Sequence, residues 1–260
     1  MAEQSIGESI TETIRTIFWA LVIAGVFRTI FFQPFWIPSG SMKDTLLIGD
    51  FLFVNKMAYG YSQHSCPFSM CPFPGRILGS EPERGDVVVF KHPTTKTDFI
   101  KRVVGLPGDK IKMTNGVLSI NGQLMVQTPN GTFTEIYDKQ GPLGSYPSCE
   151  NSVVGIGAEC HKSRFTETFA DGSTHNILNI DQGTYDNTAV FTVPEGHFFF
   201  VGDNRDNSQD SRASQAMGGV GFVPFENLIG RADRIMFSSA GRRLWHLWTW
   251  RSDRFFKAID

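Results

Sequence analysis

The stretch DFIKRVVGLPGD, residues 98–109, predicts the fold class most directly. It is a short apolar run that ends in glycine and proline, which is the pattern of a β-strand followed by a turn. Similar runs occur at 50–60, 85–93, 188–204 and 221–237. No segment between residues 40 and 240 has the periodicity of a long amphipathic helix. The sequence therefore predicts a mostly β protein built on antiparallel sheet.

Residues 110–190 predict a β-rich inserted subdomain. Two Asn-Gly pairs lie near its start, and the first, at 115–116, stands between two alternating runs. Asn-Gly in that position is the strongest short-range signal of a two-residue hairpin. The rest of the segment is polar and rich in turn residues. We expect its flanks, residues 33–109 and 191–240, to be two parts of one β domain.

The N-terminus predicts a membrane anchor. Residues 13–32 read TIRTIFWALVIAGVFRTIFF, and about 20 such residues cross a hydrocarbon core. Arg28 lies close enough to one end to reach the headgroups. A cleavable signal peptide is the alternative, but bulky residues follow the apolar run and no small-x-small site lies there. We expect an uncleaved anchor that follows a cytoplasmic N-terminus, residues 1–12.

The C-terminal tail, residues 241–260, interleaves aromatic and basic side chains. Trp245, Trp248 and Trp250 alternate with arginines that include Arg242 and Arg243. Tryptophan with arginine suits the interface between membrane and water. A terminal helix packed on the sheet is the alternative.

Net charge and cysteine content limit the possible ligands of the protein and the compartment in which it folds. The net charge of −2 gives no reason to expect a nucleic-acid partner. The four cysteines form two pairs that are close in sequence, Cys66/Cys71 and Cys149/Cys160. This spacing fits disulfides in an oxidising compartment or idle thiols in a reducing one. His64 lies beside the first pair but completes no four-ligand zinc site, so we expect no metal and no cofactor.

The segment IPSGSMKD, residues 37–44, contains two candidate nucleophiles, Ser39 and Ser41. A serine attacks only when a base lies within hydrogen-bond reach. Lys43 is the nearest base in sequence. We expect Lys43 to be solvated and charged, with a pKa near its ordinary value, so that it accepts no proton.

Two kinds of more distant base remain. His92 or His197 would complete a Ser-His-Asp triad with either of two aspartates, Asp203 and Asp210. Lys101 is the third candidate, because it lies in the predicted strand 98–109. Burial there would lower the pKa of its amine and leave a usable base near neutral pH. The neighbouring arginine could not lose its charge in this way.

Four segments occur in the order PSGSM, GDVVVFK, IKRVVGLPGD and GDNRDNSQDSR. Together they resemble the signature segments of bacterial signal peptidase I, a family of membrane-anchored serine endopeptidases that remove signal peptides. The resemblance covers roughly residues 34–237 and leaves the insertion and the tail outside. One segment alone is modest support, whereas four in order behind an anchor are specific.

The resemblance implies a role for each matching residue. Ser41 would be the nucleophile and Lys101 its general base. The Ser39 hydroxyl and the Ser41 backbone N–H would form the oxyanion hole, since developing negative charge needs preorganised donors. The last segment would add a serine that hydrogen-bonds and orients the lysine and a supporting ion pair: Ser208, and Asp210 with Arg212. One residue departs from the family pattern, because Asp44 stands where proline is common.

The resemblance also implies the substrate and the compartment. Exported preproteins would bind in extended form at a sheet edge and be cut after small-x-small motifs such as Ala-x-Ala. Shallow apolar pockets would reject larger side chains. By position, the candidate pocket walls, with ordinary β core as the alternative, are Phe35, Ile37, Leu46, Val89 and Ile100.

The implied location is the bacterial inner membrane, with one pass and the catalytic domain on the periplasmic side. The aromatic stretch 31–36 would then lie at the lipid bilayer, and we expect a monomer. Disulfides become reasonable in that compartment, and we expect the short-loop pairs Cys66–Cys71 and Cys149–Cys160.

Three alternatives stay open at this point. A specialised maturation peptidase would use the same Ser-Lys chemistry on few substrates. A membrane-tethered β binding module would keep the fold without the activity, although the four matching serine and lysine positions are intact. The self-cleaving repressors share the dyad, but they are cytoplasmic and bind DNA, which the anchor argues against.

Overall fold

A computed structural model describes residues 6–66, 69, 71–141, 143–153, 155–241 and 246–259. One long helix, α1, covers Ile6–Ile30. The remaining described residues form β-strands, turns and single turns of 3-10 helix. The predicted fold class, a mostly antiparallel β protein behind one N-terminal helix, is confirmed.

The strands are numbered in chain order. The first nine are β1 (Phe32–Trp36), β2 (Asp50–Asn55), β3 (Tyr61–Ser62), β4 (Arg76–Ile77), β5 (Val87–Lys91), β6 (Asp98–Gly105), β7 (Lys110–Thr114), β8 (Val117–Ile120) and β9 (Gln123–Leu124). The others are β10 (Val126–Ile136), β11 (Glu159–Thr168), β12 (Thr174–Asn179), β13 (Phe191–Thr192), β14 (His197–Val201), β15 (Val223–Pro224) and β16 (Leu228–Ser238).

The main sheet has seven strands in the order β1-β2-β16-β5-β6-β14-β15, all paired antiparallel. Its centre is the hairpin of β5 and β6, in which Val88 pairs with Lys101. The first four residues of β5, Val87 to Phe90, are buried without alternation, because both faces of this central strand are covered. The stretch that predicts the fold class is therefore a central strand of the sheet.

The inserted segment adds two smaller sheets. One has four strands in the order β13-β7-β8-β9, and the other has three in the order β10-β11-β12. Asn115 and Gly116 join β7 to β8, with φ of 49° and 76°. A two-residue turn of this kind needs positive φ at both positions, which asparagine and glycine tolerate. The predicted hairpin is confirmed.

Helix α1 contains a stretch of 22 residues, Ser9–Ile30, that is long and apolar enough to cross a membrane. None of its most apolar window is buried in the protein. The helix ends before the predicted limit of residue 32. The physical reason is that Phe32 already pairs with Asn55 as the first residue of β1.

The described part of the tail folds back onto the main sheet. The Trp250 ring stacks on Phe237, with centroids 4.8 Å apart, and the Ile235 N–H donates to the Lys257 carbonyl. The terminal helix considered above is wrong for these residues, which form only two single turns of 3-10 helix. Trp248 remains exposed. Arg242, Arg243 and Trp245 lie outside the described residues.

Both expected disulfides are present. Cys66 is bonded to Cys71, and Cys149 to Cys160. The second bond joins β11 to the loop that precedes it, so it closes a short loop of the insertion.

A buried ion pair fastens the tail to the sheet, which gives a prediction about stability. Arg254 donates to both carboxylate oxygens of Asp50, at 3.0 and 2.6 Å, and both residues are buried. Removing one partner of such a pair leaves an uncompensated charge, which costs about 3–5 kcal/mol. We expect Arg254→Met to lower the free energy of unfolding by that amount, measured by urea denaturation in detergent.

Arg231→Met is the matched control. Arg231 pairs with Asp233 at 2.7 Å, but both side chains are about one third exposed or more. Such a pair contributes about 0–1 kcal/mol. Equal losses in the two variants would contradict the importance of the buried pair.

Candidate active site

The candidate nucleophile lies in the loop between β1 and β2. The ends of this loop are joined by two backbone hydrogen bonds, from Ile37 N–H to Asp50 O and from Gly49 N–H to Ile37 O. Small residues at its centre allow a sequence of tight turns. The loop places Ser41 against the main sheet, where the side chain is buried.

The structure brings Ser41 and Lys101 together. Lys101 is the fourth residue of β6, and its Nζ lies 2.5 Å from Ser41 Oγ. The amine also donates to the Ile100 carbonyl at 3.0 Å. Lys101 is only 3 % exposed. The two residues that can act as nucleophile and base therefore meet in a site from which water is largely excluded.

Burial lowers the pKa of Lys101 to about 8. The main cause is the loss of hydration of the ammonium ion. Two buried carboxylates, Asp210 and Asp203, oppose this by favouring the charged form, and Arg212 supports it. About a tenth of the amine is therefore neutral at pH 7, and about half at pH 8.

The histidines are not part of this site. His92 Nε2 lies 3.1 Å from the Gly219 carbonyl, and His197 Nδ1 lies 2.9 Å from the Glu195 carbonyl. Asp203, one of the possible triad acids, is bound instead by an arginine. The histidine alternative has no support in this geometry.

Lys43 does not have the environment that we expect from the sequence. It is 3 % exposed, and its Nζ donates to Glu135 at 2.5 Å and to Gln140 at 2.7 Å. Burial lowers its pKa, and the Glu135 carboxylate opposes that effect. The expectation of a solvated lysine is wrong because the inserted strand β10 covers this loop, which local sequence does not reveal.

The turn around Gly40 carries the proposed oxyanion donors. Ser39 Oγ lies 3.5 Å from Ser41 Oγ. The Asn204 side chain donates to the Gly40 carbonyl at 2.9 Å, and the Asn204 N–H donates to the Ser41 carbonyl at 3.1 Å. Asn204 thus fixes the backbone on both sides of the nucleophile. Our sequence analysis missed this residue.

Arg102 and Asp203 form a buried pair beside the dyad. Arg102 donates to both carboxylate oxygens, at 2.9 and 2.8 Å, and Thr45 Oγ1 donates to Asp203 at 2.5 Å. Arg102 and Lys101 are adjacent on β6, so they point to opposite faces, and both are buried. A buried arginine needs a carboxylate, and this requirement is the signal that could have found Asp203.

Asp210 and Arg212 form a second buried pair. Arg212 Nε and Nη2 each donate at 2.9 Å to a different oxygen of Asp210, which also accepts from the Gly202 N–H. The pair holds the loop after β14 against Ser41. Its carboxylate is one of the two that act on the pKa of Lys101.

The role expected for Ser208, orienting the lysine, stays a prediction. Its hydroxyl is buried and lies against Gly202, where an added Cβ would be 2.2 Å from it. Among the described residues no hydrogen bond joins it to Lys101, whose amine contacts Ser41 and Ile100. Ser208 therefore lies beside the site.

Four of the candidate pocket residues belong to one buried apolar cluster beside the dyad. Phe35 packs against this cluster and stays partly exposed. The four buried members are Ile37, Leu46, Val89 and Ile100. Burial of this kind is also what ordinary β core shows, so the pocket role stays a prediction.

Asp44, the departure from the family pattern, faces the insertion. It accepts from Arg164 at 3.4 Å and from Asn176 at 3.2 Å. No cluster of three or more histidine, cysteine or acidic residues in the described ranges could hold a metal ion.

Comparisons with known proteins show which family the chain resembles. Residues 10–237 match the family described as signal peptidase, peptidase S26. The signal peptidase I of Rickettsia typhi is 40 % identical over 233 residues, which cover 85 % of this chain and 78 % of that protein. The signal peptidase I of Rickettsia akari is 40 % identical over 233 residues, which cover 85 % and 77 %.

A solved structure is more distantly similar. The crystal structure of a signal peptidase I from Enterococcus faecalis matches with a TM-score of 0.30 and 22 % identity. The match covers 58 % of this chain and 97 % of that one. The family assignment rests on the sequence matches.

The close approach at Gly202 gives a prediction for this site. A Cβ there would lie 2.2 Å from Ser208 Oγ and 2.6 Å from the Ser41 carbonyl oxygen. The second contact is with backbone, so a side-chain rotation cannot relieve it. We expect Gly202→Ala to lower the free energy of unfolding by about 1–3 kcal/mol, measured by denaturant titration. An unchanged unfolding midpoint would contradict this packing.

Proposed function

The chain belongs to the signal peptidase family, peptidase S26, in which it is a serine protease that removes signal peptides, and we propose that Ser41 is its nucleophile and Lys101 its general base. The observation that carries this proposal is the contact between Lys101 Nζ and Ser41 Oγ at 2.5 Å. A serine needs a base at this distance, and only an amine without its proton can act as one. The lowered pKa of Lys101 meets that condition.

In the first half of the reaction, the neutral Lys101 amine takes the proton of Ser41, and Ser41 Oγ attacks the scissile carbonyl. The Ser39 hydroxyl and the Ser41 N–H donate to the oxygen that becomes negative. The Lys101 ammonium then gives its proton to the leaving amine, and the peptide bond breaks. The product is an acyl-enzyme on Ser41 and a released mature chain.

In the second half, Lys101 takes a proton from water, which attacks the ester. Collapse of the second tetrahedral intermediate returns the proton to Ser41 Oγ and releases the signal peptide. In the structure, Asp203 and Asp210 are each hydrogen-bonded to an arginine, Arg102 and Arg212. They leave Lys101 free to exchange its proton with substrate atoms.

We further propose that the substrates are exported preproteins cut after small-x-small motifs. The residues next to the dyad are packed in an apolar cluster, which supports shallow pockets that fit alanine better than larger side chains. Phe35, the partly exposed member, would contact the substrate at the rim.

Helix α1 would anchor the enzyme in the bacterial inner membrane, with the β domain on the periplasmic side. Its apolar side chains are exposed along the whole stretch Ser9–Ile30. Phe31 and Trp36, just after the helix, are also exposed, so they would lie at the bilayer surface. A disulfide-bonded domain fits that oxidising side of the membrane.

The dyad gives the first test of this function. In detergent, the wild-type protein should cut a preprotein that carries an Ala-x-Ala site, and Ser41→Ala and Lys101→Met should each lose at least about 1,000-fold in kcat. Mass spectrometry of the products would show the cleaved bond. Cleavage that survives the loss of Lys101 would assign the base to another residue. No cleavage by folded wild type would contradict the proposal that the protein cuts preproteins after Ala-x-Ala sites.

The pKa of Lys101 gives a second test. The active base is the neutral amine, so kcat/KM should rise as pH rises through about 8. Well below that pH, each further decrease of one pH unit should reduce kcat/KM about tenfold, because the neutral fraction of the Lys101 amine falls tenfold. A rate profile from pH 5 to 10 measures this limb. A profile that is flat between pH 6 and 9 would rule out this titration.

A further inference from the structure

The side chain of Lys43 lies directly over the glycine that precedes the nucleophile. A Cβ on Gly40 would be 3.1 Å from Lys43 Cε and 3.5 Å from its Nζ. The Lys43 N–H donates to the Gly40 carbonyl as well. The position of the Lys43 side chain and the position of the turn that holds Ser39 and Ser41 therefore depend on each other.

The Glu135 carboxylate fixes the position of the Lys43 ammonium group. Its carboxylate accepts from Lys43 at 2.5 Å, from Lys162 at 2.7 Å and from Gln140 at 2.7 Å. Both lysines are buried, and the carboxylate is 10 % exposed. Buried ammonium ions without a counter-ion are strongly unfavourable, so one carboxylate fixes two lysine side chains.

Both residues that accept from the Lys43 amine belong to the insertion. Glu135 lies on β10, and Gln140 lies in the segment that follows this strand. Asp44 makes a second link, through Arg164 on β11 and Asn176 on β12. All three strands of the inserted sheet thus contact the two residues that follow Met42 in the nucleophile loop.

The opposite side of the same turn is held by the β domain. Asn204 contacts the Gly40 and Ser41 carbonyls from the loop after β14. The turn is therefore held between two supports, Asn204 on one side and the Lys43–Glu135 pair on the other. With one support removed, the backbone could shift away from Lys101.

We propose that Glu135 is a positioning residue for the nucleophile, acting through Lys43. This inference rests on the proposed function, because it assumes that Ser41 attacks the substrate. Glu135 touches neither Ser41 nor Lys101 among its hydrogen bonds. Its effect is on the geometry of the turn, and a displacement of about 1 Å can cost about 100-fold in rate.

The test compares Glu135→Gln with wild type in steady-state cleavage of the Ala-x-Ala preprotein. We expect kcat to fall roughly 10- to 100-fold while KM changes less than about threefold, since substrate contacts are kept. The rise of kcat/KM with pH that we assign to Lys101 should keep its midpoint near pH 8. Circular dichroism at the assay temperature would verify that the variant is folded.

Glu159→Gln is the matched control. It makes the same substitution on β11 of the same sheet, but Glu159 is exposed and its nearest ion-pair partner is His161 at 3.5 Å. We expect its kcat to equal that of wild type. A loss of similar size in both variants would mean that the sheet is merely destabilised, which overturns the proposal.

Lys43→Met tests the route. Methionine keeps an apolar stem over Gly40 and removes the ammonium group. In this background Glu135→Gln should therefore cause little further loss of kcat. Fully additive losses would show that Glu135 does not act through Lys43. Wild-type kcat in folded Glu135→Gln would also overturn the inference, whereas failure of wild type itself to cleave would instead contradict the proposed function.

Discussion

The mechanism that we propose requires a lysine amine to lose its proton inside a folded protein, and it is the constraint on which the structure depends. Burial supplies the shift, and two buried carboxylates, Asp203 and Asp210, oppose it. Each is occupied by its own arginine in a two-oxygen contact. Arg212 counters part of this effect and burial outweighs the rest, so the site keeps acidic residues for structure while the pKa of Lys101 stays lowered.

The topology follows from the need to bring distant residues into contact. Ser41 and Lys101 are 60 positions apart in sequence. The lysine stands on a central strand, where neighbours on both sides exclude water, and the serine stands on a loop, where the backbone can approach a substrate. Asn204 then joins the two halves of the β domain at the serine. A rigid strand for the proposed base and a turn held by hydrogen bonds for the proposed nucleophile keep the contact short.

The sequence predicted the features that local pattern controls. Apolar runs bounded by glycine and proline identified the strands, and Asn-Gly identified the hairpin at 115–116, because these signals act within a few residues. The burial of Lys43 could not be predicted, since it depends on a strand more than ninety positions away. The polar loop after β14 has the composition of a solvated turn, but most of its charged side chains are buried. Asp210 pairs with Arg212 inside the loop, whereas Asp203 and Arg205 pair with Arg102 and Glu167 elsewhere in the chain.

Lys56 shows why a lowered pKa alone does not identify a catalytic base. Burial lowers the pKa of Lys56 to about 8, the same value as for Lys101. The difference lies in what each amine touches. Lys56 Nζ contacts the Ser65 carbonyl at 2.5 Å, an acceptor that has no proton to give. Lys101 Nζ contacts the Ser41 hydroxyl. Once the amine has lost its own proton, it can accept the hydroxyl proton and leave Ser41 Oγ as a nucleophile. Burial lowers the pKa of both amines, but only the amine beside a serine hydroxyl can take a proton from a nucleophile.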